Sequence, residues 1–200
     1  MSEDQGNPPE AEPYLALARR GKEVWNAWKR EELKEPGLPD PKRPVNFAGV
    51  DFTKPENQDI NFGGFEFGDH ANFSKAKFGN TPNWMDDGYF QLPNGHPTKG
   101  GAYFNNAKFG FFATFSHAKF GGNASFENVT FGVMVNFSSA IFGARANFKK
   151  AKFYEMALFD STSFDSFADF SKSEFKGTVM FNSKRNIESI SREFGPIVTE

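Results

Sequence analysis

Three histidines are the first residues in this chain whose chemistry asks for an explanation: His70, His96 and His117. A catalytic or metal-ligating imidazole needs convergent partners, and no His-x-x-His or Glu-containing metal spacing accompanies any of them. Exposed structural histidine is the simpler reading. Asp86 and Asp87 precede Gly88 and could suggest a carboxylate pair, but adjacent side chains diverge and Asp-Gly is chiefly turn chemistry. Gly110, Gly121, Gly132 and Gly143 recur every 11 residues, each directly after a Phe, at corners and without the arrangement of a phosphate-cradling loop. Cys is absent, which removes thiolate metal sites and disulfides alike. The Gly- and Asp-rich calcium nonapeptide of other β-helices is missing. No catalytic residue, cofactor site or metal site is expected, and the chain reads as non-enzymatic.

Phenylalanine supplies the real pattern. Phe104, Phe115, Phe126, Phe137, Phe148, Phe159, Phe170 and Phe181 stand 11 apart. A second ladder, Phe109, Phe120, Phe131, Phe142, Phe153, Phe164 and Phe175, has the same period five residues behind. Such self-similarity is the mark of a solenoid. Intervals alternating between five and six do not fit an α-helix, whose buried stripe recurs at three and four. In extended chain, residues i and i+2 share a face. A small residue, usually Ala, stands two before each Phe, so the pair faces inward and Lys108, Thr114, Lys119, Ser125, Asn136, Asn147 and Lys152 face out. Gly, Ser, Asn and Lys then make the corner.

The stretches ANFSK, AKFGN, ANFKK and ADFSK resemble the pentapeptide-repeat family. The resemblance spans roughly residues 45–181. It implies an all-β fold, a right-handed quadrilateral parallel β-helix whose bore is filled by the central Phe and preceding Ala. The chain departs from the family by one extra residue after every second repeat, giving 22 residues per coil and two enlarged, diagonally opposite corners.

The ends carry different signals. Residues 1–13 are acidic and Pro-rich, the composition of a disordered leader. Tyr14, Leu17, Ala18, Gly21, Val24, Trp25 and Trp28 form one apolar stripe, predicting an amphipathic helix within 14–34. Its two indoles need a surface, and the open end of a β-helix is one; binding to a partner is the other reading. LARRGKEVWNAWKREE also resembles a leader that often precedes pentapeptide repeats. A Pro-rich linker occupies 35–44, and repeats begin at Val45. Asn57 takes the place of one bore Phe, while Trp84 and Tyr89 continue the rhythm until a loop insertion at about 90–101. That reading makes about six coils. Ile187, Ile190 and Phe194 suggest a short C-terminal capping helix within 182–200.

Charge narrows the function classes. The chain carries 23 Lys and Arg against 25 Asp and Glu, a net charge of −2. DNA mimics of the pentapeptide-repeat kind, which shield a topoisomerase, need dense negative charge, so that alternative is disfavoured. Nucleic-acid binding fares no better, since Lys149, Lys150 and Lys152 make only a short cluster near Arg145. No apolar run approaches membrane-span length, and Met1–Glu12 lacks the features of a signal peptide, so a cytoplasmic protein is expected. The remaining expectation is a scaffold that presents a rigid surface to an unknown protein partner or to itself. Positions 22 apart share an edge, which stacks Phe111, Phe112, Val133, Met134 and Met156 as a candidate contact edge. The opposite corner stacks Gly122–Asn123, Ala144–Arg145 and Ser166–Phe167 and is mostly small or polar.

Overall fold

The computed structural model describes residues 7–54, 56–57, 60–78, 102–165 and 167–181. Its body is a parallel β-solenoid of four faces, which the chain visits in turn. The first face contains Ala102–Tyr103, Ala124–Ser125, Ala146–Asn147 and Ala168–Asp169. Glu66–Gly68, Lys108–Phe109, Thr130–Phe131, Lys152–Phe153 and Glu174–Phe175 form the second. The third holds Val135–Asn136, Ala157–Leu158 and Val179–Met180. Lys77–Phe78, Lys119–Phe120, Ile141–Phe142 and Ser163–Phe164 make the fourth. From Ala102 onward the paired residues are 22 apart, as in Ala146 with Ala168 and Phe153 with Phe175.

Each side chain's place follows from the pleat. Ala and Phe point inward together, and the rings of successive layers lie flat on one another. Phe126 and Phe148 stack at 4.9 Å and 4°, Phe120 and Phe142 at 4.5 Å and 4°. Rings on opposite faces meet edge to face across the bore, as Phe126 and Phe137 do at 5.5 Å and 85°. Alternating stack and edge satisfies the quadrupole of every ring, worth about 0.5–1.5 kcal/mol per pair beyond burial. The outward residue before the Phe has its own role. Asn147 Oδ1 accepts from Lys149 N at 2.9 Å and Asn136 Oδ1 from Ser138 N at 2.8 Å, so the carboxamide caps the coming corner.

The two corner types differ in construction. A five-residue interval closes with an i to i+3 hydrogen bond, such as Ala151 N to Phe148 O at 2.9 Å. The residue before that Ala, here Lys150 at φ 58°, is left-handed, the pattern of a type II turn. A six-residue interval instead bonds layer to layer, as Phe112 N does to Val133 O at 2.8 Å.

Among the described residues, sixteen strands make about four turns of regular ladder rather than six coils. Two findings account for the difference. Phe67 stacks directly on Phe109 and Phe78 on Phe120, at 4.6 and 5.1 Å. Layers 42 residues apart are therefore neighbours, whereas the expectation of further faces through Trp84 and Tyr89 separates them. Both residues, with the expected loop at 90–101, fall outside the described residues. Asn57 is no bore position either: Phe47 packs on Phe73 and Phe62 on Phe104, so the first coil runs through Phe52 and Phe62 with Asn57 in a widened corner. Buried there, Asn57 gives Nδ2 to Asp51 O at 3.0 Å and to Asn7 Oδ1 at 3.1 Å, and accepts from Arg19 at 2.7 Å. The first layer also joins the rest through isolated bridges, such as Asn46 with Asn72 and Asp51 with Lys77.

Where the apolar stripe predicts one helix, the chain forms two, α1 (Glu12–Ala18) and α2 (Lys22–Lys29). Gly21 breaks them at φ 89°, a conformation open to glycine without steric cost. Ala11 is fully buried at the end of a short 3-10 turn, so the stretch before Tyr14 is partly packed rather than all leader. Trp25 lies against Phe65 and Phe67 at 5.2 and 5.5 Å, and α2 thereby covers the first coil. Trp28 Nε1 donates to Pro39 O at 2.7 Å and Tyr14 OH to Pro44 O at 3.2 Å, which ties the Pro-rich stretch to the helices. The C-terminal stretch 182–200, with its expected helix, lies outside the described residues.

Candidate functional site

The enlarged corner between the second and third faces places five side chains of interest along one edge. It passes through residues 68–70, 110–112, 132–134, 154–156 and 176–178, one layer each. Phe111 and Phe112 are 50% and 43% exposed, and Val133, Met134 and Met156 are half-buried beside them. All five sequence-predicted residues thus share the edge.

Local geometry explains why they stand out. Three residues that directly precede an inward Ala or Val on this edge, His70, Phe112 and Met134, adopt a left-handed backbone at φ 56°, 59° and 56°. Bulky side chains are uncommon there, and each costs roughly 1–2 kcal/mol relative to a right-handed placement. Close approach of the upper layers demands glycine at the start of the corner at residues 110 and 132. A Cβ on Gly132 would stand 2.6 Å from Gly110 O, and one on Gly110 would meet the Asp69 carboxylate and, at 2.7 Å, the Gly68 carbonyl carbon. Asp69 Oδ1 accepts from Phe111 N at 2.8 Å, fixing the uppermost turn of the edge.

Four contributing residues escape the sequence reading. Tyr154, 44% exposed, occupies the position where Gly110 and Gly132 stand in earlier layers, and Lys176 Nζ sits 4.4 Å over its ring. Counting 22 onward from Gly132 would have found it. His70 stacks on Phe112 at 5.2 Å and 17°, so it is a part of the edge rather than an isolated imidazole. Leu158 and Met180 pair in register as outward residues of the third face and extend the apolar surface around the corner. His117 takes the left-handed position of a tight corner, away from this edge, and His96 lies outside the described residues. Among the described residues, no three His, Cys, Asp or Glu side chains are grouped to hold a metal, and no helix is long and apolar enough to cross a membrane.

The opposite enlarged corner is chemically unlike it. Asn123 and Arg145 are its exposed side chains in two layers, and Phe167, 61% exposed, is a single apolar residue there. Ile141, 39% exposed, stands on the fourth face.

Electrostatics concentrate at the capped end. Arg30 pairs with Glu66 at 2.6 Å, and Lys108 reaches the same carboxylate at 3.2 Å. The Arg30 hydrogen bond, with Lys108 adding to it, holds the Glu66 carboxyl below its usual range against the opposing effect of burial. Burial pushes Lys29 down, offset in part by Asp69 and Asp40, while its ammonium donates to Pro41 O at 2.6 Å.

No curated protein matches the chain. Residues 137–183 match the family model described as pentapeptide repeats in nine copies. Those residues form layers continuous in register and ring stacking with the layers before them. Residues 137–183 are thus pentapeptide repeats, and the layers before them continue the same ladder.

Proposed function

We propose that this protein is a non-catalytic scaffold whose apolar edge, Phe111, Phe112, Val133, Met134, Tyr154 and Met156, docks a protein partner. One observation carries the reading. Large apolar side chains occupy left-handed positions at Phe112 and Met134, where conformational preference favours Gly or Asn, and Phe111, Phe112 and Tyr154 remain exposed in a row. Neither core packing nor turn chemistry calls for them, whereas a contact surface does. The stacked bore beneath keeps the edge rigid, so little ordering cost falls on binding. Methionine adds an adaptable surface suited to contact.

The alternative, a DNA-mimic modulator of a topoisomerase, calls for a rod of carboxylates that the near-neutral charge does not supply. Phe112→Asn with Met134→Asn tests the scaffold reading, because Asn accepts a left-handed backbone while removing the apolar surface. Capture of the partner by the unmodified chain and its loss in this variant, with β-structure intact, is the expected result. A gyrase supercoiling assay that responds to the protein and is indifferent to both substitutions would favour the mimic.

A further inference from the structure

Between the two ends of the rod, both edges of a strand pair with another layer. At the first coil, the edge of Glu66–Gly68 is occupied by side chains from α2. Glu66 N donates to Asn26 Oδ1 at 2.9 Å, Asn26 Nδ2 donates to Gly64 O at 3.0 Å, and Trp25 Nε1 donates to Glu66 O at 2.8 Å. A carboxamide carries one acceptor and a donor group, the same two functions that a neighbouring strand's peptide would offer. The Trp25 indole meanwhile packs on Phe65 and Phe67, on the side where another layer's Phe would stack. Arg30 holds the outward carboxylate of the same strand.

At the far end, Glu174–Phe175 repeats the second-face pattern in register with Lys152–Phe153, and Phe175 stacks on Phe153 at 4.5 Å. The two ends of this face are therefore complementary in backbone, ring stacking and register. We propose that the first coil is a latent docking edge for the last coil of a second copy of this chain, held closed by Asn26 and Trp25 acting as a surrogate strand. Such a contact is head-to-tail and does not close on itself, so it propagates into rods. It is independent of the apolar edge, which lies along the side of the solenoid.

The contact has its own charge signature. Glu174 of one copy meets Glu66 of the next in cross-strand register, and like charges directly opposite one another oppose pairing. Substituting the charge at 174 therefore reads this interface, and the Glu174→Lys single variant measures its separate effect opposite Lys152 within the chain. In the full-length chain, Trp25→Ser with Asn26→Ala is expected to raise the mass seen by light scattering with concentration, and electron microscopy should show unbranched rods. Adding Glu174→Lys should tighten this association about fivefold by placing opposite charges in register. Glu127→Lys, the same charge change at a corner in mid-rod, should leave it unchanged. A second variant, Asn26→Ala with Arg30→Ala, keeps both indoles packed and carries the same readings should the first lose its β circular-dichroism signal. Mass equal to that of the unmodified chain, or an equal response to the two lysine substitutions, overturns the proposal.

Discussion

The two enlarged corners are built from the same repeat, yet only one of them brings its layers into hard contact. In the corner bearing Phe111 and Phe112, Gly132 lies so close to Gly110 that a Cβ would stand 2.6 Å from its carbonyl oxygen. Across the bore, Gly143 occupies the equivalent place over Gly121, where the nearest atoms to a Cβ are 3.5 Å away. One corner is tight and carries exposed aromatic and Met side chains; the other is looser and carries Asn123 and Arg145. A single periodic glycine thus answers to two physical demands, and the apolar edge belongs to the corner where the backbone has no slack.

Truncating the bore on either side gives the largest expected effect. Phe131→Ala, next to the tight corner, and Phe142→Ala, next to the loose one, should each cost about 3–5 kcal/mol in chemical denaturation. Both rings are fully buried in equivalent stacks. Markedly unequal losses would show that the difference between the corners begins in the bore.

Glycine substitution is the sharper instrument. Gly132→Ala must push a Cβ into backbone and should cost about 1–3 kcal/mol, whereas Gly143→Ala meets ordinary van der Waals contact and should stay within about 0.5 kcal/mol. Equal melting temperatures for the two variants would break the comparison.

Acid should act on the tight corner's own end of the molecule first. Glu66, just before that corner's first layer, has a carboxyl lowered chiefly by the Arg30 hydrogen bond. A depressed folded-state pKa contributes stability that is present above the unfolded value, and that stability is lost as pH falls through the folded value. Tryptophan fluorescence of Trp25 and Trp28 should therefore report cap loosening on acidification, to a small extent because the pair is largely solvated. Glu66→Gln should weaken the cap at neutral pH and remove that part of the pH dependence. An unchanged acid profile in this variant would assign the response elsewhere.

The smallest expected change comes from the exposed side chains themselves. Phe112→Asn with Met134→Asn should alter stability by no more than about 0.5 kcal/mol, since an exposed and a half-buried side chain outside the bore are exchanged for one that tolerates φ above zero. A large loss in thermal denaturation would mean that these residues belong to the core and that the apolar edge is structural.

The amino-acid sequence alone determined the solenoid, its Phe-filled bore and the alternation of two corner types. Period and pleat are local properties: a two-residue repeat of side-chain direction converts Ala-x-Phe into an inward pair wherever it occurs. It also placed Phe111, Phe112, Val133, Met134 and Met156 on one edge, because register is arithmetic once the coil length is known. Layer adjacency was decided only by tertiary structure. Phe67 stacks on Phe109 and Phe78 on Phe120, neighbours 42 residues apart in a chain whose later layers repeat every 22, and spacing alone does not reveal that adjacency. Asn57 could pass for a bore residue by spacing, since its burial rests on nearby Asp51 and on Arg19 and Asn7 from distant segments. The break at Gly21 likewise answers to the surface that α1 and α2 must cover. Distinguishing Gly132 from Gly143 required the folded chain for the same reason: the repeat dictates which way a residue faces, but only packing sets how near the next layer comes.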